Sequence, residues 1–282
     1  MFSDVLLTVD YDMTLTAPDS SIPQRNLEAI RYFMDHGGSF TLNTGRSVPM
    51  TKVFRDRIPT NAPLLLYNGS AAYDPVTGTM PFCHEIQADL WTVIRECQQL
   101  LPDLTVEVQG IDAHYCFRAD PAWDALCDRS CCARAMAHPG DDLGPFLKFA
   151  FYGTIHSDKI TDMFQGTPRE LARITQAQEL LLKKYGDKME VFRSGARILD
   201  VHAKGISKGR SALELKEKLG KKLLICVGDG ENDVPMLEAA DYAFCPSDSA
   251  VADRYPNVCP CAEGAVAEVI YREVPKLLQF YP

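Results

Sequence analysis

The sequence predicts an α/β protein: a Rossmann-like, doubly wound parallel sheet as core, with an inserted α+β cap domain. Three observations predict it. Short apolar runs without polar alternation occur at both ends of the chain, as in strands covered on both faces. Amphipathic helical segments alternate with those runs, which implies right-handed crossovers and an open parallel sheet. The middle instead places strands in adjacent pairs beside helices, the pattern of a separate unit.

The elements follow in order. Val5–Val9 is a buried-strand candidate, as are Ser39–Leu42 and Leu64–Tyr67. Pro23–His36 sets Leu27, Ile30, Arg31 and Met34 at helical spacing and stops at Gly37-Gly38. Turn chemistry through Tyr73–Gly78 predicts a hairpin. A helix over Ala88–Leu101 precedes strands near Thr105–Val108, His114–Arg118 and Leu147–Tyr152. A long helix, Pro168–Lys184, leads to paired strands at Met189–Phe192 and Arg197–Val201. The core resumes with a helix over Ser207–Leu219 and strands at Leu223–Val227 and Tyr242–Phe244. The division expected is a core of residues 1–84 and 203–282 and an inserted unit of residues 85–202.

Composition narrows the function classes. The 282 residues are 46% hydrophobic, enough for a sizeable core. A formal charge of −9 and a pI near 5.2 argue against extended contact with nucleic acid or an anionic membrane. No apolar run approaches bilayer-spanning length, and Met1-Phe2-Ser3-Asp4 does not open a secretion signal. Ten cysteines in so large a chain read as reduced thiols, Cys226 and Cys245 in core strands among them, and a cytoplasmic location is the consistent expectation. Cys127, Cys131, Cys132 and His138 could be imagined as a zinc site, but their spacing suits helix-packing thiols better.

Chemistry concentrates where strands end. Asp10-Tyr11-Asp12-Met13-Thr14 follows the first strand directly. A carboxylate there can attack phosphorus once a cation neutralises the phosphate, and a second one two residues on can protonate the leaving oxygen and then deprotonate water. Gly228-Asp229-Gly230-Glu231-Asn232-Asp233 follows another strand in the same manner. Two acidic clusters on two strand ends repel unless a cation lies between them, and oxygen ligands alone favour a hard ion, most simply Mg²⁺. Thr44 and Gly45, after the second strand, form an anion cradle at a helix start. Lys208, in Ser207-Lys208-Gly209, offers one compact cation. Singly, each segment could be a solvated turn, a cap or a surface lysine; jointly, all four sit where one ligand site of an open α/β sheet lies.

Together these segments resemble the four ordered motifs of the haloacid dehalogenase superfamily. The Gly-Asp-x-x-Asn-Asp form, with Ser-Lys-Gly before it and Asn68-Gly69 after the third strand, resembles the Cof-type phosphatases of subfamily IIB. The resemblance implies that Asp10 is the nucleophile and a Mg²⁺ ligand, passing through a phosphoaspartate. It implies that Asp12 is the acid/base and gives its carbonyl to the metal, and that Asp229 is the third protein ligand. Asp233 would act through a bound water or by orienting Lys208. Tyr11, Thr44, Gly45, Lys208 and Asn232 would hold the substrate's phosphoryl group, with Arg46 in support. Met13 departs from the pattern, standing where the family usually has Gly; its side chain is expected to point away from the metal.

The function expected is Mg²⁺-dependent hydrolysis of a small phosphorylated metabolite, a sugar phosphate or a phosphorylated cofactor. A phosphomutase of the same superfamily and a non-catalytic metal- or phosphate-binding module are the alternatives; retaining both Asp10 and Asp12 counts against the module. The inserted unit is expected to close over the core and set specificity, with His114, Tyr115, Phe117 and Trp123 as lining candidates or as its own core.

Overall fold

The computed structural model describes residues 1–119, 121, 124–125, 128, 132–153 and 165–279. The chain forms two compact units: Met1–Gly45, Phe54–Phe82 and Ser207–Pro282 in the first, Arg46–Val53 and Cys83–Ile206 in the second.

The first unit is built on a five-stranded parallel sheet in the order Asn257–Val258, Tyr242–Pro246, Leu223–Val227, Val5–Val9, Ser39–Leu42. The Leu223–Val227, Val5–Val9 and Ser39–Leu42 strands are buried along their whole length, Thr8, Ser39 and Thr41 included. Leu6, Leu224, Cys226 and Cys245 pack with Ala212 and Leu215 of the Lys208–Lys218 helix and with Met236 and Leu237 after the last acidic segment. Register is what builds the site. Val9 lies opposite both Val227 and Leu42, so Asp10, Gly228 and Asn43 leave three neighbouring strands at the same level.

The expected third core strand behaves differently. Leu64–Leu66 pairs antiparallel with Ala71–Tyr73 in a small three-stranded sheet and touches the main sheet through one parallel bridge, Asn43 to Leu65. The chain reverses at Tyr67, Asn68 and Gly69, all with positive φ, so the strand stops one residue early. The Asn257–Val258 strand is too short for any pattern to reveal.

The second unit holds a six-stranded sheet, ordered Met189–Gly195, Ile198–Ala203, Lys148–Tyr152, Thr105–Gln109, His114–Cys116, Arg134–Met136. The pairings are antiparallel except the last, which is parallel. Arg134–Met136 escaped the sequence reading because it is a largely exposed edge with no apolar run. The Leu90–Leu100 and Pro168–Tyr185 helices supply Val93, Ile94, Cys97, Ile174, Ala177 and Leu181 to a core shared with Val106, Val108, Phe149, Phe151, Leu199 and Val201. Asp89 caps the first helix through the Thr92 amide, and Thr167 and Glu170 close a capping box on the second. Among the described residues no helix is long and apolar enough to cross a membrane.

Candidate active site

Asp10 emerges from the Val5–Val9 strand with its amide bonded to the Val227 carbonyl, so its position is fixed by the sheet ladder. Its carboxylate is buried and accepts, through Oδ1, a hydrogen bond from Lys208 Nζ at 2.7 Å. The same ammonium donates to Asp233 Oδ1 at 2.6 Å. Lys208 is itself 1% exposed, a charge that could not be buried there without both partners. Burial alone would depress its pKa; the Asp10 and Asp233 carboxylates override that and raise it, so it is a fixed cation.

Asp233 is committed on both oxygens. While Oδ1 takes Lys208, Oδ2 accepts the amides of Asp229 at 3.0 Å and Gly230 at 2.9 Å. The turn must come this close because a Cβ on Gly228 would lie 2.6 Å from that of Asp233. Asp229 in turn accepts the Thr14 hydroxyl at 2.6 Å on Oδ1, tying the first acidic loop to the second. Thr14 belongs to the quoted motif, but no role attached to it in the sequence; its value is visible only once the two strands are adjacent.

The electrostatics are strained in one direction. Asp10 is pushed well above the usual carboxylate range by burial and by repulsion from Asp233, Asp229 and Asp12, with Lys208 opposing. Burial and Asp233 likewise push Asp229 up to about 7, against the Thr14 hydrogen bond and Lys208. Carboxylates held ionised against such a cost are those a cation would relieve. Oxygen atoms of Asp10, Asp229 and Asp233 all lie within 4.8 Å of one another, a metal-capable group among the described residues.

The other sequence candidates fall as follows. Asp12 is half-buried and close enough to raise both Asp10 and Asp229. Tyr11 buries its ring against that of Phe54, centroids 4.7 Å apart. Met13 adopts φ 60° and ψ 3°, the left-handed region that favours glycine, with its side chain 41% exposed and its amide bonded to Thr16 Oγ1. Thr44 is buried, with its amide on the Leu65 carbonyl and its carbonyl taking the Asn68 amide. A Cβ on Gly45 would meet Asn68 Oδ1 at 2.8 Å, so any larger residue would have to displace that side chain. Asn43, which the sequence did not single out, donates from Nδ2 to the Lys208 carbonyl and fixes the start of that helix. Asn232 is half-buried beside Gly230. Arg46 lies in the second unit. Cys127, Cys131 and Trp123 fall outside the described residues; Cys132 is buried, whereas the His138 side chain is 75% exposed.

Residues 7–252 match the haloacid dehalogenase-like hydrolase family. The chain is a haloacid dehalogenase-like hydrolase. This hydrolase is 23% identical over 256 residues to mannosyl-3-phosphoglycerate phosphatase of Pyrococcus furiosus, covering 85% of the chain and 89% of that protein. It is 25% identical over 252 residues to 5-amino-6-(5-phospho-D-ribitylamino)uracil phosphatase of Bacillus subtilis, covering 84% and 85%. Its fold is shared with a haloacid dehalogenase-like hydrolase from Bacteroides thetaiotaomicron at a TM-score of 0.77, with 22% identity and coverage of 95% and 98%. A HAD/COF-like hydrolase from Plasmodium vivax superimposes at 0.75, with 22% identity and coverage of 98% and 97%.

Proposed function

We propose that this hydrolase is a Mg²⁺-dependent phosphatase of small phosphorylated metabolites, working through a phosphoaspartate on Asp10. The observation that carries the reading is Asp10 itself, a buried carboxylate held by Lys208 among further acids that a cation would relieve. The donor set fits a hard divalent ion: every side chain in the group offers a carboxylate oxygen, with no His or Cys among them. Asp233 has spent both oxygens on Lys208 and the loop amides, so the protein ligands assigned are Asp10, Asp229 and the main-chain carbonyl of Asp12. When bound, Mg²⁺ supplies charge neutralisation of the phosphoryl oxygens and of the crowded acids.

The chain's own residues divide the remaining work. Lys208 holds Asp10 Oδ1, which orients the carboxylate and leaves Oδ2 to attack phosphorus. As the new O–P bond forms, the ester O–P bond breaks, and Asp12 gives its proton to the departing alkoxide. Asp12 then takes a proton from water, which attacks the phosphoaspartate; the Asp10 O–P bond breaks and inorganic phosphate leaves. Thr44, Gly45 and Asn232 are assigned to the phosphoryl oxygens, with the Tyr11 and Arg46 contributions of smaller weight. The inserted unit is assigned the recognition of the rest of the metabolite.

The test is phosphate release from a panel of phosphorylated metabolites with Mg²⁺ and with EDTA, together with acid-quench mass spectrometry of the Asp10 peptide. A phosphoryl adduct on Asp10, lost in Asp10→Asn, is expected. Undiminished turnover by Asp10→Asn would sink the reading.

A further inference from the structure

In the first unit, the loop that carries Asp12 is one closed turn, Tyr11–Leu15, between Asp10 and the extended residue Thr16. Asp12 is itself extended, at φ −77° and ψ 132°, and Met13 then swings to φ 60°. That left-handed step is costly for a residue with a side chain, and it persists only where the surroundings hold it. Thr16 does the holding. It is 2% exposed, its amide donates to the Tyr11 carbonyl at 3.0 Å, and its Oγ1 accepts the Met13 amide at 3.2 Å. Asp12 is thereby bracketed, since the carbonyl of the peptide before it and the amide of the peptide after it both meet Thr16.

Thr16 is itself firmly seated. The preceding residue, Leu15, is fully buried, and its carbonyl accepts Asn26 Nδ2 at 3.1 Å. Asn26 is also fully buried, and its Oδ1 takes the Ala267 amide at 2.9 Å. On the other side of Leu15, the Thr14 hydroxyl donates to Asp229 Oδ1. The end of the turn is therefore pinned to two separate parts of the unit.

The bond to Met13 has a consequence at Asp12. The Met13 N–H and the Asp12 C=O belong to one peptide, which is planar and trans. In such a peptide the two groups point in opposite directions. A hydroxyl that fixes the N–H also fixes the C=O, aiming it away from Thr16. The left-handed step at Met13 bends the chain back so that a residue three positions on reaches this N–H.

We infer that Thr16 is a positioning residue, whose hydroxyl sets the direction of the Asp12 main-chain carbonyl and so the affinity of the site for a divalent cation. The inference rests on the assignment of that carbonyl as a metal ligand in the phosphatase reading above. Groups that orient a ligand commonly matter nearly as much as the ligand. Thr16 lies beyond the Asp10–Thr14 motif, and its hydroxyl explains how Met13 can occupy a backbone conformation suited to glycine.

The test is the Mg²⁺ dissociation constant of EDTA-treated, desalted protein, titrated with MgCl₂ in a calorimeter. Thr16→Val removes the acceptor at nearly unchanged volume and should weaken Mg²⁺ binding about tenfold or more. Thr16→Ser keeps the hydroxyl and should stay within about threefold of the parent. A folded Thr16→Val that loses thermal stability in EDTA yet binds Mg²⁺ as tightly as the parent would overturn the inference and leave the phosphatase reading standing. Two measurements on the parent need no variant to fold. In EDTA the Met13 amide should exchange with solvent at least about tenfold more slowly than in an unstructured peptide; unprotected exchange would overturn the inference as well. On addition of MgCl₂ the Met13 amide nitrogen resonance should shift, because that nitrogen shares its peptide with the Asp12 carbonyl. A resonance that stays in place while Mg²⁺ binds would refute the ligand assignment, and this inference with it. A parent that binds no Mg²⁺ would remove the metal-dependent reading altogether.

Discussion

Asp229→Asn should stabilise the metal-free protein at neutral pH while abolishing its stabilisation by Mg²⁺. The folded chain holds the Asp229 proton more tightly than the unfolded chain, moving its pKa from 3.8 to about 7 through burial and the Asp233 charge. Between those values the folded state binds more protons than the unfolded one, so stability falls as pH rises from about 4 to about 7 and levels off above. At 1.36 kcal/mol per pKa unit, the ionised fold is penalised by at most about 4 kcal/mol. Shared with Asp10 and relaxed by solvent, about 2 kcal/mol of it is a reasonable expectation for Asp229 alone. At about 2–4 °C per kcal/mol for chains of this size, the melting temperature in EDTA should drop by about 4–8 °C between pH 5 and pH 8. The amide introduced by the substitution would still accept the Thr14 hydroxyl, but without the charge.

Thermal denaturation in EDTA across that range, for parent and variant, reads the effect directly. The variant should show a flatter profile and the higher melting temperature at pH 8. Mg²⁺ should raise the parent most at pH 8 and the variant hardly at all. A parent that is as stable in EDTA at pH 8 as at pH 5, with no gain in Asp229→Asn, would refute the view that these acids are electrostatically burdened.

Three other outcomes follow from the same geometry. Asp12→Asn should lose about 10²–10⁴-fold in turnover of alkyl esters and less with p-nitrophenyl phosphate, whose departure needs no proton; equal losses on both would deny Asp12 the acid's role. Lys208→Met should cost about 3–5 kcal/mol in urea denaturation with EDTA, because Asp10 and Asp233 would be left buried and unpaired; an unchanged midpoint would contradict it. Met13→Gly should stabilise by about 0.5–1 kcal/mol, since relief of the left-handed backbone exceeds the entropy gained by the unfolded chain; a loss measured in the same assay would show that the Met13 side chain contributes packing.

Much of the first unit was legible because its signals are local. Val5–Val9 and Leu223–Val227 announce themselves as short, mostly apolar runs, and Asp10 and Asp229 announce themselves by following those runs. What the sequence cannot supply is register across distance. That Thr14 reaches Asp229, 215 positions away, depends on Val9 lying opposite Val227. That Glu107, His114 and Ser47 are linked by hydrogen bonds is hidden for the same reason, since in the sequence His114 reads as a pocket residue or, more readily, as core. Tyr115 and Phe117, offered beside it as lining residues or as core, pack against the second unit's own apolar core. Leu64–Leu66 looked like a core strand because burial, not pairing, sets its composition: it is fully buried yet turns into a different sheet.

The placement of one lysine explains why so many acids can share this small space. Lys208 opens its helix with Ser207 as cap, the Ser207 hydroxyl taking the Arg210 amide, and Asn43 fixes the Lys208 carbonyl. The side chain therefore starts from a rigid point and spans Asp10 and Asp233 with both bonds short. Lys208 bonds Asp10 and Asp233, and one ammonium cannot by itself balance those two carboxylates and Asp229 within the same cluster. Asp233 is neutralised by Lys208 and two amides, which removes it from competition and leaves the deficit on Asp10 and Asp229. On the phosphatase reading proposed above, a fold that satisfies one acid completely and its neighbours incompletely would direct a divalent ion toward the carboxylate assigned to the attack.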